Sequence, residues 1–268
     1  MHADRRAPAG APPRREPRVG LILPARDEEE ALPLVLGDVP RERVARIVVV
    51  DNGSRDRTAE VARAAGAEVV HEPRAGYGRA CLAGIAALER DERPWSDGDV
   101  VAFLDADRSD YPEELAGIVE PLLDGRADLV IGSRVLGGAS LSALLPQAWF
   151  GNRLACFLMR VLFGATYTDL GPFRAIRHDA LHALGVRDPT FGWTIEMQLK
   201  AHAAGLRVLE VPVRYRPRIG KSKITGTVSG TLRAGAKILG WIFAYRLATL
   251  FRRGYSVGGK PHVPATRA

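Results

Sequence analysis

Cysteine is scarce in this chain. Cys81 and Cys156 are the two in 268 residues, and both lie in apolar, helix-like surroundings. Neither has the paired spacing of a zinc site or of an extracellular disulfide framework, so both read as small buried hydrophobes in a reducing cytoplasm. Residues 1–18 are rich in Arg, Pro and Ala, lack the apolar run of a signal peptide, and are expected to form a disordered arm. The most apolar helix-like segment, 234–251, is broken by Lys237 and Arg246. It is too short and too charged to span a bilayer, which leaves packing on the domain or lying in a membrane interface, with Trp241, Phe243, Tyr245 and Phe251 at headgroup level. Acidic residues are missing from residues 211–268, which hold 12 Lys or Arg; the rest of the chain has 26 basic against 31 acidic residues. The net charge of +7 is therefore a property of the C-terminal end.

Apolar content of 46% and charged content of 26% exclude a wholly disordered chain. Short β-branched runs alternate with helical patterns over the first two-thirds, which predicts a mostly parallel sheet flanked by helices. Strands are expected at 19–23, 46–50, 68–71, 100–104 and 128–131. Helices are expected at 28–36, 56–65, 77–89 and 112–123, then at 147–163 and 194–204, with a strand at 207–215. Ligands of open α/β sheets bind beyond the carboxyl ends of the strands. Three acidic turns fall there: Pro24-Ala25-Arg26-Asp27-Glu28, Asp51-Asn52-Gly53-Ser54 and Asp105-Ala106-Asp107.

The run Val100–Leu104 is continuously apolar, as in a strand buried on both faces, and it ends in Asp105-Ala106-Asp107. Two carboxylates one small residue apart at a strand end can share a divalent cation, Mg2+ or Mn2+, together with a diphosphate. Asp51 either accepts a nucleobase N–H or simply serves its turn. Asp169 and Glu196 are the candidate bases for a hydroxyl acceptor. A phosphate acceptor needs no base but needs cations, which Arg214, Arg216, Arg218, Lys221 and Lys223 supply. Trp193 either stacks on a sugar or packs beneath it. His178 and His182 are four apart without a nearby Glu in sequence and, like His71 and His202, read as surface or structural.

The ordered motifs resemble those of family 2 glycosyltransferases of the GT-A fold, a Rossmann-like nucleotide-sugar-binding fold, near the dolichol-phosphate mannose synthase and polyprenyl-phosphate glycosyltransferase group. Leu23–Glu30 is similar to the P-A-x-N-E-E segment of that family, and Asp51–Thr58 to its D-D-G-S-x-D-x-T segment. Phe103–Asp107 is similar to the metal motif and Gly132-Ser133-Arg134 to G-S-R, with Asn152-Arg153, Thr168–Ala175 and Gly220–Lys223 following. Three positions depart from the pattern. Asp27 stands for Asn, Ser109 for a frequent Gln, and the loop arginines fall four and two residues before Gly220 instead of three.

The resemblance implies a nucleotide-sugar-binding half at 19–134, an acceptor half at 135–226, an amphipathic helix at 227–252 and a flexible tail at 253–268. Pro24, Arg26, Glu28 and Asp51 would line the base and ribose pocket, with Ala106 and Trp193 alongside the donor. Asp105 and Asp107 would bind metal and diphosphate, and Arg134, Arg174, Arg216, Arg218, Lys221 and Lys223 would meet phosphate groups. The implied reaction inverts a hexose from a UDP- or GDP-sugar onto a polyprenyl phosphate or, alternatively, a hydroxyl acceptor. Its implied place is peripheral, on the inner face of the cell membrane, at an anionic surface or beside a membrane-protein partner. A nucleotidyltransferase would need a Gly-rich, Lys-containing loop after the first strand. A nucleic-acid binder would need a recognition motif, and none accompanies the basic end.

Overall fold

The computed structural model describes residues 15–139, 146–220 and 228–253. Seven strands form one sheet: β1 (Val19–Ala25), β2 (Arg46–Asp51), β3 (Glu68–His71), β4 (Val100–Phe103), β5 (Leu129–Ser133), β6 (Arg174–Arg177) and β7 (Val208–Pro212). Their order is β3-β2-β1-β4-β6-β5-β7, and only β6 runs antiparallel to its neighbours, β4 and β5. The expected mostly parallel α/β architecture is thus present, with one reversed strand inserted between two that are parallel.

Among the described residues there are eight α-helices: α1 (Leu32–Asp38), α2 (Thr58–Ala64), α3 (Tyr77–Glu89), α4 (Leu115–Leu123), α5 (Pro146–Phe163), α6 (His178–Leu184), α7 (Trp193–Ala203) and α8 (Val228–Arg253). Side chains alternate across a strand. On β1, Leu21 and Leu23 face α1, α2 and α4, whereas Ile22 joins Val101 and Phe103 against α3, α6 and α7. Both layers are dry, which is why the strands read as continuous apolar runs. A third apolar cluster joins α5, α7 and α8 through Met159, Leu199 and Ile242.

Two boundaries differ from expectation for identifiable reasons. The helix expected from Glu28 starts at Leu32, because the backbone N–H groups of Asp27, Glu28 and Glu29 are taken by the side chains of Ser54, Thr58 and Asp56. Residues before Val19 are tied to the domain: Arg15 and Arg18 both pair with the buried Asp99. The tail beyond Arg253 lies outside the described residues. Among the described residues no helix is long and apolar enough to cross a membrane.

Candidate active site

β4 ends by pairing Phe103 with Ile22 of β1 and Arg174 of β6, which projects Asp105-Ala106-Asp107 beyond the sheet edge. Asp105 is half-buried, while Asp107 and Asp110 are nearly sealed from solvent. Asp107 Oδ1 accepts the Ser109 N–H at 2.9 Å and the Ser109 hydroxyl, a contact that needs the chain to reverse at Arg108, whose φ is 64°. Asp107 Oδ2 meets the Arg218 guanidinium at 2.8 Å. Neither carboxylate oxygen of Asp110 has a hydrogen-bond partner, nor does the buried Tyr77 hydroxyl. Burial and the adjacent Asp107 carboxylate push Asp105 up to about 7. Burial, reinforced by Asp105, holds Asp110 well above the ordinary carboxylate range. Two carboxylates one small residue apart at the sheet edge, Asp105 being raised by burial and by its neighbour, are what a hard divalent cation would relieve, so Asp105 and Asp107 fit Mg2+ or Mn2+, with the unpartnered Asp110 oxygens beside them.

The two preceding turns are stitched to each other. Asp27 sits at a φ of 52°, a conformation that Asp and Asn tolerate better than other side chains, and its Oδ1 accepts the Arg55 N–H at 2.7 Å. Either residue type supplies that oxygen, which accounts for the departure from the family's Asn. Asp51 accepts from Ser54 N–H at 2.9 Å and lies 3.0 Å from His71 Nδ1, so it serves its turn in the structure. Asn52 pins the 72–76 segment, donating to the Glu72 and Arg74 carbonyls and accepting from Gly76 N–H. Pro24, Arg26 and Glu28 are half-buried at this edge. A small polar cleft is lined by Asp27, Glu28, Glu29, Asp56, Ile219 and Gly220.

The segment after β7 folds back over the metal motif. Ile219 N–H donates to the Asp107 carbonyl and Arg216 N–H to the Ser109 carbonyl. The three arginines then divide the work. Arg214 pairs with Glu114, and Arg216 donates to the Arg108 and Asp110 carbonyls while stacking on Tyr111 at 4.2 Å. Arg218 alone reaches a carboxylate of the metal motif among the described residues. Lys221 and Lys223 lie outside the described residues.

Arg134, at the end of β5, forms a bidentate pair with the fully buried Asp169 at 2.7 and 2.8 Å, and its backbone N–H donates to the same carboxylate. Burial opposes the charge of Arg134, but the Asp169 carboxylate outweighs it and holds the guanidinium pKa above its ordinary value. Glu210 of β7, which sequence reading passes over, accepts from the Thr168 and Asp169 N–H groups and fixes this turn.

Burial corrects the expected roles of Arg174 and Glu196 and, for Trp193, favours one of the two expected placements. Arg174 is fully buried and spends its donors on the carbonyls of Leu170, Gly171 and Thr194, so it braces the turn and does not face a phosphate. Trp193 is fully buried with its ring 4.7 Å from that of Phe103, and it packs beneath the site rather than on a sugar. Glu196 is buried and holds the Arg187 and Asp188 N–H groups and Lys200, again a brace. Asp110 is the carboxylate missed by the sequence reading; its position after the metal motif is visible there, but its lack of any partner is not.

Comparison with known proteins agrees with this geometry. Residues 21–185 match the profile of Glycosyl transferase family 2. An uncharacterized glycosyltransferase of Mycobacterium tuberculosis is 40% identical over 222 residues, covering 81% of this chain and 94% of that protein. A dolichyl-phosphate hexose transferase of Haloferax volcanii is 34% identical over 218 residues, covering 79% and 89%. In fold, the chain is similar to glucosyl-3-phosphoglycerate synthase from Mycobacterium tuberculosis in complex with Mn2+, uridine diphosphate and glucosyl-3-phosphoglycerate. There the TM-score is 0.63 at 23% identity, covering 88% of this chain and 80% of that one. With its metal motif, its stitched nucleotide-side turns and this match over most of its length, the chain belongs to glycosyl transferase family 2.

Proposed function

We propose that this glycosyltransferase is metal-dependent and inverting, and that it moves a hexose from a UDP- or GDP-sugar to a polyprenyl phosphate at a membrane surface. The observation that carries the acceptor is the state of the carboxylates. Asp169 is consumed by Arg134, and Glu196 by two backbone N–H groups and Lys200. Asp110 is sealed from solvent, and burial raises its carboxyl well above the ordinary carboxylate range. None of these is placed to deprotonate a hydroxyl, whereas a phosphate acceptor arrives as an anion and needs only cations. Among the described residues Arg218 is the cation paired with Asp107, and it would be freed for phosphate if Asp107 took up metal. A bound Mg2+ or Mn2+ supplies positive charge against that growing on the departing nucleoside diphosphate.

Two further features support the lipid. Phe150, Phe157 and Val161 on α5 and Phe243 and Leu247 on α8 are all at least half exposed, and Arg153, Arg160 and Arg246 lie on the same two packed helices. That combination suits an anionic interface. The Haloferax volcanii relative is named for a dolichyl-phosphate acceptor.

The test is release of nucleoside diphosphate from a panel of UDP- and GDP-sugars, with Mg2+ or Mn2+, with and without a short polyprenyl phosphate. Release should require the lipid phosphate and disappear in Asp107→Ala. Release that depends instead on a hydroxyl compound would overturn the acceptor, and no turnover of any nucleotide sugar would overturn the donor class.

A further inference from the structure

Three ligand-type side chains meet at the other end of the sheet from the carboxylates. His178 and His182 stand one turn apart on α6, and Glu89 closes α3. Glu89 Oε1 lies 2.6 Å from His182 Nε2 and 3.3 Å from His178 Nε2, and the two imidazole nitrogens are 3.1 Å apart. The spacing of the nitrogens is the informative quantity. Two imidazole nitrogens and a carboxylate oxygen aimed at one point bring three potential ligand atoms within hydrogen-bond distance of one another. A cation at that point satisfies all three at once. For metal bonds of about 2.0–2.1 Å in tetrahedral array, ligand atoms stand roughly 3.3 Å apart. Two of the three separations already agree, and the third opens by a rotamer adjustment of Glu89.

The geometry points to a second metal site in this protein, formed by Glu89, His178 and His182, that takes a zinc-class transition ion and clips α3 to α6. Two imidazoles and one carboxylate select Zn2+, Co2+ or Ni2+ over Mg2+. The backbone positions are set before any metal arrives. His178 is 12% exposed, its ring lies 6.0 Å from that of Trp95, and its N–H donates to the Asp99 carbonyl. Ala87 and Leu88, just before Glu89, are in the core, as are Ala180 and Leu181 between the histidines. His182 is 55% exposed, which leaves the fourth position to water.

This site is independent of the catalytic edge. β6 runs antiparallel to β4 with Arg177 opposite Val100, so His178 lies at the start of β4 and Asp105 beyond its end. Six residues of extended chain separate the two ends, about 20 Å. The clip would fasten the far end of the helix whose first residue, Tyr77, lies near Asp105.

The experiment uses tag-free, full-length protein carrying Asp105→Asn and Asp107→Asn, so that the catalytic carboxylates do not compete. Titration of the metal-free protein with Co2+ should give one equivalent with visible ligand-field absorption, displaced by Zn2+, and Zn2+ should raise Tm. His182→Ala, at an exposed position that leaves the fold intact by circular dichroism, should weaken Zn2+ binding by more than the roughly 10–100-fold that loss of a supporting hydrogen-bond partner causes. Glu89→Gln should also weaken it. No Co2+ uptake, or uptake unchanged in both His182→Ala and His178→Ala, would overturn the site and leave a hydrogen-bonded cluster.

Discussion

Asp105 illustrates how a carboxylate proposed to hold metal works against the fold that holds it. Its pKa rises from 3.8 in a free chain to about 7, through burial and Asp107, so the folded state binds more protons than the unfolded one between those values. Stability from this group is therefore greatest at low pH and declines as pH rises from about 4 through about 7. Asp105→Asn removes that decline. In melts with a chelator present, the Tm of the variant relative to the wild type should increase from pH 5 to pH 8, and an equal difference at both would refute the assignment. Asp107→Ala removes a metal ligand and should lower kcat by about 10²–10³-fold or more, on the scale of losing one transition-state charge contact. Asp169→Ala strands Arg134, which is 13% exposed, beside a vacated partner. Breaking a buried pair costs about 3–5 kcal/mol, so chemical denaturation should reveal a loss of that order.

Elements carry the next set of consequences, because helices here position one another through single polar residues. Asp188 joins three of them. Its Oδ1 accepts from Thr190 and Gly192 before α7, and its Oδ2 accepts from Trp241 Nε1 at 2.6 Å and pairs with Lys237 at 2.9 Å on α8. Trp241 and Tyr245, which sequence reading leaves either packed on the domain or at a membrane interface, thus pack against the domain, whereas Phe243 points outward. The Asp188 backbone carbonyl also closes on α3, where a Cβ added at Gly78 would stand 1.9 Å from it. Asp188→Ala should destabilise the protein by about 2–4 kcal/mol, from orphaned donors costing about 1–3 kcal/mol each, and should raise the rate of proteolysis within α8. The limits of α3 are legible in the sequence because an uninterrupted helical pattern runs from Tyr77 to Glu89. Those of α1 are not, since side chains from a turn some 27 to 30 residues later decide where it starts.

At the scale of the molecule, catalysis and membrane contact are assigned to separate surfaces. Phe157 and Phe243, 60% and 50% exposed, belong to the outer faces of α5 and α8. Burying a Phe side chain contributes about 1.5–3 kcal/mol. Phe157→Asp with Phe243→Asp should therefore lower co-sedimentation with anionic vesicles by at least about 10-fold. Mn2+ affinity, which depends on the sheet edge, should not change. Loss of Mn2+ binding in that variant would show that the two surfaces are not separable.

The sequence alone determined the mostly parallel sheet and placed three acidic turns, Asp105-Ala106-Asp107 among them, at the carboxyl ends of its strands. Those features arise from local pattern: apolar runs of strand length, and acidic turns that must follow them. Tertiary structure decided what depends on residues far apart in the chain. It inserted β6 between β4 and β5, which brings Asp169 to Arg134 and buries Arg174. Among five clustered cations it gave Arg218 to Asp107 and Arg214 to Glu114, and it left Asp110 without a partner. It also brought Glu89 to His178, 89 residues later in the chain, and to His182. A side chain's chemistry is written in its residue type, but its charge state and its partner depend on which atoms exclude water around it, and only the folded chain supplies those.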